Sequence, residues 1–400
     1  MPNFAQSELN TETTAIVSGS FTAANFLTIA NRAVRDVLSD IDLRSSIRAT
    51  ALSPNLFDEI YEYTCPSTIK GNKIIDIKPQ INRGRYDRWT LVTAEEFDRK
   101  KKDLRMDKYG DPIEMSGTQW LGDNLVAFSR DDLVNKLLIS RPIDDEETGI
   151  STLDAVGDWT GVGDGSNLTK DSDHYVKGSS CINWDIDATG GTTAGIVNSS
   201  LDTFDVSDYK TNGSVFAWAY ISSITNLTNF IIKIGSSSSA YYSVTVTTNN
   251  EGVAFYAGWN LLRFDFADKS TTGTPDDDGC DYCALYMTKA GAKISETDYR
   301  FDNIVMKLGD HYNVIHYSRF FWQSSTGTYL EDATAVTDLL NCETDEYGLI
   351  ISKTAERMER HLKNHTEANI HLQDYERSKA KYIFDNPSQA MLLEQEYYTL

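Results

Sequence analysis

The chain has 400 residues, with 37 Lys and Arg against 59 Asp and Glu, for a net charge of −22 at pH 7. That length predicts two or three domains with ample material for a core. The acidic balance argues against a protein that grips nucleic acid, because neutralising phosphates takes clustered Lys and Arg, though it does not exclude a protein past which DNA slides without sticking. The five cysteines, Cys65, Cys181, Cys280, Cys283 and Cys342, are odd in number and scattered, which fits a reducing compartment better than a disulfide framework.

Residues 1–20, "MPNFAQSELNTETTAIVSGS", are polar, Thr-rich and without period, and read as an extended arm. They lack the basic start and apolar core of a signal peptide, and no apolar run in the chain approaches membrane-spanning length. The expectation is a soluble protein used without signal-directed export and without membrane contact. Thr22 then has the character of an N-cap, and Phe26, Ala30, Ala33, Val34 and Val37 recur at helical spacing. "IYEYTCPS" and "KIIDIKP" are short strand-like pieces punctuated by Pro66, Gly71 and Pro79. "TAEEFDRKKKDLR" reads as a charged helix or turn, and "NLVAFSRDDLVNKLLISRP" as two strands across a polar turn at Arg130 to Asp132.

From Ser151 to Gly309, turns rich in Gly, Ser, Thr and Asp separate "SCINWDI", "SVFAWAYI", "NFIIKIG", "YYSVTVTT", "NLLRFDF", "CALYMT" and "YRFDNIVMKL". Seven or more short strands of this kind predict an antiparallel sandwich or jelly roll. In "YAGWNLLRFDF", Asn260, Leu262, Phe264 and Phe266 alternate with Trp259, Leu261, Arg263 and Asp265, which predicts a half-buried strand. After Gly309 come one more strand, "YNVIHYSRFFW", and a long helix or helical pair, with Ile351, Ala355, Met358 and Leu362 in 4-3-4 spacing. The fold class expected is α+β. A helical domain with a small β-layer, residues 21–150 plus 310–400, is interrupted by an inserted sandwich, 151–309. "NKLLISR" and "NVIHYSR" should then lie close in space.

Few residues point to chemistry. His361 and His365 have zinc-ligand spacing, but "HLKNH" has no Glu beside its first His, and a solvated helix face is the expectation. "CDYC" has no second pair and reads as small buried residues. "TPDDDGCD" places Thr274 and Leu285 where a calcium loop needs carboxylates, and reads as an acidic hairpin turn. "GVGDG" has no following helix or Lys to make a phosphate loop. No serine has a nucleophile-elbow context, and no enzyme is expected. Phe216, Trp218 and Tyr220 share one strand face opposite Ala217, Ala219 and Ile221. We expect Trp218 in the core; were the aliphatic face the core instead, Trp218, Tyr220 and Tyr241 would be free to stack on sugar rings.

"HYVKGSSCINWDI", "YAGWNLLRFDF" and "YRFDNIVM" give the middle block a resemblance to the jelly rolls of carbohydrate-binding modules and concanavalin-like proteins. The resemblance implies a structural calcium at Asp302, with Asp171 or Asp173 and the Gly178 carbonyl as partners; no other cofactor is expected. The flanks, through "FLTIANRAVRDVLSDI", "FDEIYEYTCPSTIKGNKIIDI", "YNVIHYSRFFW" and "DLLNCETDEYGLIISKTAERM", resemble head-to-tail adaptor or ring proteins of tailed bacteriophages. That resemblance implies a virion structural protein of the neck or tail, assembled in the host cytoplasm. Its partners would be eleven further copies in a dodecameric ring, the portal protein and other neck or tail proteins, with DNA passing through without sequence-specific binding. The last helices would pack back on the first. The alternative is a carbohydrate-binding adhesin or fibre-associated module whose partner is a glycan.

Overall fold

The Thr22 hydroxyl accepts the Asn25 N–H and caps the helix Ala23–Asp40, whose Phe26, Ala30, Ala33, Val34 and Val37 are all buried, as their spacing requires. This computed structural model describes residues 3–52, 55–57, 60–80, 89–100, 104–106, 112–114, 124–128, 136–140, 146–188, 190–291 and 295–386. The chain is α+β and divides into two units, one of residues 1–51, 65–91 and 312–400, the other of residues 52–64 and 92–311.

In the first unit the polar N-terminus is not an extended arm. Asn3–Ala5 is a strand paired with Leu339–Asn341, and Gln6–Ile16 is a helix. The helix buries only Gln6, Leu9 and Thr13, so its sequence carries little periodic signal. It is fixed by contacts made at a distance in the chain. Phe4 stacks on Tyr347 with ring centroids 3.8 Å apart, and Ser18 donates its N–H and hydroxyl to Glu359 at 2.6 and 2.9 Å. Packing of this kind, rather than local propensity, stabilises a short helix.

The C-terminal helical segment is a pair, Thr344–His361 and His365–Asp385, broken at Lys363, which has φ of +62°. The break explains why the 4-3-4 stripe fades: Ala355 and Met358 are fully buried, whereas Leu362 lies past the helix end and is 39% exposed. Both helices pack on the first long one. Phe26 and Val34 share a core with Leu349, Ile350, Met358 and Tyr375, and Arg357 is ion-paired with Asp36. His361 ends one helix and His365 begins the next, so the pair does not present i, i+4 ligands on one helix face.

A three-stranded antiparallel sheet in this unit has the order Ile47–Ala51, Tyr312–Ser318, Ile69–Pro79. Lys136–Ser140 pairs instead with Glu62–Thr64 and Asn124–Phe128 in the second unit. The strands of "NKLLISR" and "NVIHYSR" therefore have different partners and are not neighbours in a sheet. The turn expected at Arg130 to Asp132 lies outside the described residues.

The second unit holds the sandwich. One sheet has the order Gly165–Asp171, Cys181–Ile186, Glu296–Leu308, Ser214–Ile221, Gly258–Asp265, with Glu146–Ser151 along the second half of Glu296–Leu308. The other runs Thr160–Gly163, Thr193–Asn198, Tyr282–Lys289, Leu227–Ser237, Ala240–Val246, Ser270–Thr272. All pairings are antiparallel. The sandwich sheet thus starts at Glu146, ahead of the composition change at Ser151. Alternate residues of both sheets meet in one core, including Trp184, Ile196, Ala217, Phe230, Leu262, Leu285 and Phe301. The strand of "YAGWNLLRFDF" is buried on both faces rather than one: Leu262 and Phe264 are fully enclosed, and so nearly are Trp259 and Leu261 at 1% and 8% exposure.

Candidate functional site

The core fixes which way the aromatic strand faces. Val215, Ala217, Ala219 and Ile221 are all fully buried between the sheets. Phe216, Trp218 and Tyr220 therefore point to the outer side, and the expectation of a core Trp218 is overturned. Small residues win the inner positions because Trp184, Phe230 and Phe301 already fill the inter-sheet space. Much of this outer face is covered. Phe57 meets Phe216 edge-on at 5.2 Å, Tyr220 meets Trp259 at 5.6 Å, and the Arg300 guanidinium lies 4.7 Å from the Tyr220 ring.

Tyr241 belongs to the opposite sheet, so the three candidate stacking residues do not form one platform. On its own outer face Tyr241 is joined by Tyr282, Ala284 and Tyr286, with Ile231, Val162 and Val197 against them. Every member of this cluster comes from the sheet itself. Tyr282 and Tyr286 are the more deeply set, at 6% and 9% exposure, and Tyr241 and Lys233 are half-buried beside them. Gly235 lies opposite Tyr241 in register, and a β-carbon there would come 2.5 Å from the Tyr241 Cα. The Lys233 ammonium is 4.5 Å from the Tyr241 ring centroid and 5.3 Å from that of Tyr286, within cation–π range. Along the edge, Ser243, Ser270 and Thr272 supply hydroxyls, with Ser243 and Ser270 Oγ atoms 2.8 Å apart.

Sequence reasoning missed Tyr282, Tyr286 and Lys233. Their signal was present: Tyr282, Ala284 and Tyr286 alternate with Cys283, Leu285 and Met287, as Ile231 and Lys233 do with Phe230, Ile232 and Ile234. What the sequence did not contain is the register that brings the two alternations together, Lys233 opposite Ala284 and Ile231 opposite Tyr286.

A second polar centre lies at Asp302, on the other sheet. Asp302 is fully buried; its Oδ2 accepts the Val176 and Lys177 N–H groups at 2.7 and 2.9 Å, and its Oδ1 has no hydrogen-bond partner. Burial, with a smaller contribution from the Asp154 charge, pushes its carboxyl up to about 6. Asp154 accepts the Ser179 and Ser180 N–H groups at 2.6 and 2.9 Å. Gly178 has φ of +72°, and a β-carbon there would sit 2.6 Å from the Asp154 carboxylate oxygens. The calcium set expected from the resemblance does not fit as a shell. Asp171 turns its Oδ2 to Arg300 Nε at 2.7 Å and its Oδ1 to the Asp173 and His174 N–H groups. Among the described residues no group of three or more His, Cys, Asp or Glu side chains stands close enough to hold a metal ion. The acidic pair that does form is Asp302 with Asp154.

The remaining motifs have structural roles. Cys280 and Cys283 are buried thiols, and burial together with Asp277 pushes Cys280 up to about 12, far from a reactive thiolate. "TPDDDGCD" is an acidic turn in which Asp277 takes the Lys210 ammonium and the Tyr242 hydroxyl. "GVGDG" links two strands and carries Asp164, which forms a buried ion pair with Lys289.

No protein-family model matches this chain, and comparison with curated proteins gives no match. Among solved structures, part of the chain is similar to the family 11 carbohydrate-binding module from Clostridium thermocellum in complex with a β-1,3-1,4-mixed-linked tetrasaccharide, at 15% identity over 41% of this chain and 95% of that one, with a TM-score of 0.29. It is also similar to the family 30 module of the Clostridium thermocellum cellulosomal cellulase Cel9D-Cel44B, at 15% identity over 40% and 90% of the two chains and a TM-score of 0.27. The C-terminal family 22 module of Clostridium thermocellum Xyn10B is a third, at 16% identity over 40% and 93%, with a TM-score of 0.25.

Proposed function

We propose that the sandwich is a glycan-binding module, and that polysaccharide lies across the face of Tyr241, Tyr282 and Tyr286. The observation that carries this reading is the composition of that aromatic cluster, which draws all its members from its own sheet. Apolar ring faces bordered by serine and threonine hydroxyls match the two sides of a sugar, its C–H face and its hydroxyl edge. Binding without turnover is part of the proposal. Tyr241→Ala should weaken glycan binding about tenfold, the scale of a contact residue that carries binding, while Trp218→Ala leaves it unchanged. Affinity electrophoresis against a polysaccharide panel makes the measurement. Loss with Trp218→Ala and none with Tyr241→Ala would move the site to the other sheet.

For the first unit we retain the ring-subunit reading, with portal and neck proteins as its partners. Its support is the helix His365–Asp385, which leaves Ile370, Ile383 and Phe384 exposed, Phe384 at 85%. A contact between copies would bury them. The expected result is a defined multiple of the 44.8 kDa chain in mass photometry, alone or with a portal protein added; monomer under both conditions sinks the reading.

A further inference from the structure

We infer that the tyrosine face selects acidic sugars, with Lys233 taking the carboxylate of a uronic acid whose ring stacks on Tyr241. This rests on the reading of that face as a glycan site and names the class of glycan.

The Lys233 ammonium has no carboxylate counter-ion among the described residues. In a chain with 59 acidic residues against 37 basic ones, enclosed cations are expected to find carboxylates. Several do: Lys289 pairs with Asp164, Arg300 with Asp171 and Asp298, Lys70 with Asp42. Lys233, half-buried in the middle of the aromatic face, has no carboxylate partner among the described residues; its neighbours are the Tyr241 and Tyr286 rings and hydroxyls. Burial favours the neutral amine, but the two tyrosine hydroxyls outweigh burial and raise the ammonium above the ordinary lysine range.

That arrangement treats neutral and acidic ligands differently. A neutral sugar laid over Lys233 would remove water from an ammonium and return no opposite charge, which is unfavourable. A uronate carboxylate would return a charge-assisted hydrogen bond. The position also matches the geometry of a ring substituent. Lys233 is opposite Ser243 in register, between the more deeply set tyrosines and the hydroxyl edge of Ser243, Ser270 and Thr272, so a stacked ring can place its carboxylate on the ammonium and its hydroxyls on the edge. The net charge of −22 repels a polyanion at long range, so attraction here must be local and made by contact rather than by steering.

The test uses the full chain and three polysaccharides, polygalacturonate, alginate and hyaluronate, each beside its carboxyl-esterified form, with neutral β-glucan and galactan in the same panel. The expected result is that at least one free acid binds roughly tenfold or more tighter than its ester. Lys233→Gln should erase that difference and Lys233→Arg should keep most of it. Tyr241→Ala should weaken acid and ester alike. Thermal melts of each variant confirm that it is folded. If acids and esters bind equally, or only neutral glycans bind, and Lys233→Gln matches the wild type while Tyr241→Ala still weakens binding, the acidic-sugar inference is wrong and the glycan reading stands. If the wild type binds none of these polysaccharides, the glycan reading falls and the inference with it.

Discussion

Leu262→Asp is expected to unfold the sandwich, lowering its melting temperature by more than about 10 °C. Leu262 is fully buried, sits in the core between the two sheets, and is paired across the ladder with Ala217, which is equally enclosed. The substitution removes the transfer free energy of a buried leucine and places a carboxylate among the apolar side chains of that core. Together these are worth about 5 kcal/mol or more, a large part of the stability of a typical domain. Near-ultraviolet circular dichroism of the full chain follows it through the aromatic core around Trp184 and Phe301. A variant melting within about 3 °C of the wild type would mean that Leu262 does not face the core as described.

The second large effect is expected at Asp302, and its sign is opposite. The carboxyl is raised from 3.8 to about 6 in the folded chain, chiefly by burial. Because the folded state holds that proton more tightly than the unfolded state, folding is penalised progressively as pH rises from about 4 to 6, and the penalty is complete above that window. A shift of this size corresponds to about 3 kcal/mol at pH 7. Asp302→Asn keeps an oxygen for the Val176 and Lys177 N–H groups and turns an amide donor toward the Asp154 side. The variant should therefore melt several degrees above the wild type at pH 7.5, with the gap closing at pH 4.5. The same two proteins decide the calcium question. A cation seated on Asp302 would reverse the result: EDTA would lower the wild-type melting temperature, and Asp302→Asn would be the less stable protein in calcium buffer. A gap that does not change with pH, in EDTA, would show that the Asp302 charge is not what the fold is paying to bury.

The legible parts of this sequence are those where a local period is strong and turn chemistry marks its ends. The Ala23–Asp40 helix has its stripe and its Thr22 cap, and the sandwich strands have their alternation between Gly, Ser, Thr and Asp turns. The N-terminal helix was illegible because what fixes it, Tyr347 and Glu359, lies at the other end of the chain. Trp218 was misplaced because alternation says that two faces differ without saying which is inner. Volume decides that, and the volume is filled by Trp184, Phe230 and Phe301, all on other strands. The tyrosine face was visible only one strand at a time. The companion of Asp302 is Asp154 rather than Asp171, because Asp171 is paired with Arg300, a contact made across strands that no local pattern announces.

The sheet of the first unit has a consequence for how the protein is born. Its middle strand, Tyr312–Ser318, is the one that both Ile47–Ala51 and Ile69–Pro79 need, and it is the last of the three to leave the ribosome. At about 5–20 residues per second, the two early strands wait on the order of tens of seconds with their edges unpaired. All the strands of the sandwich, from Glu146 to Leu308, emerge during that interval. Vectorial synthesis thus imposes an order in which the middle of the chain can be native while two strands near its beginning are still unpaired. During that window, nascent-chain proteolysis should cut within the strands Ile47–Ala51 and Ile69–Pro79 and spare residues 146–308.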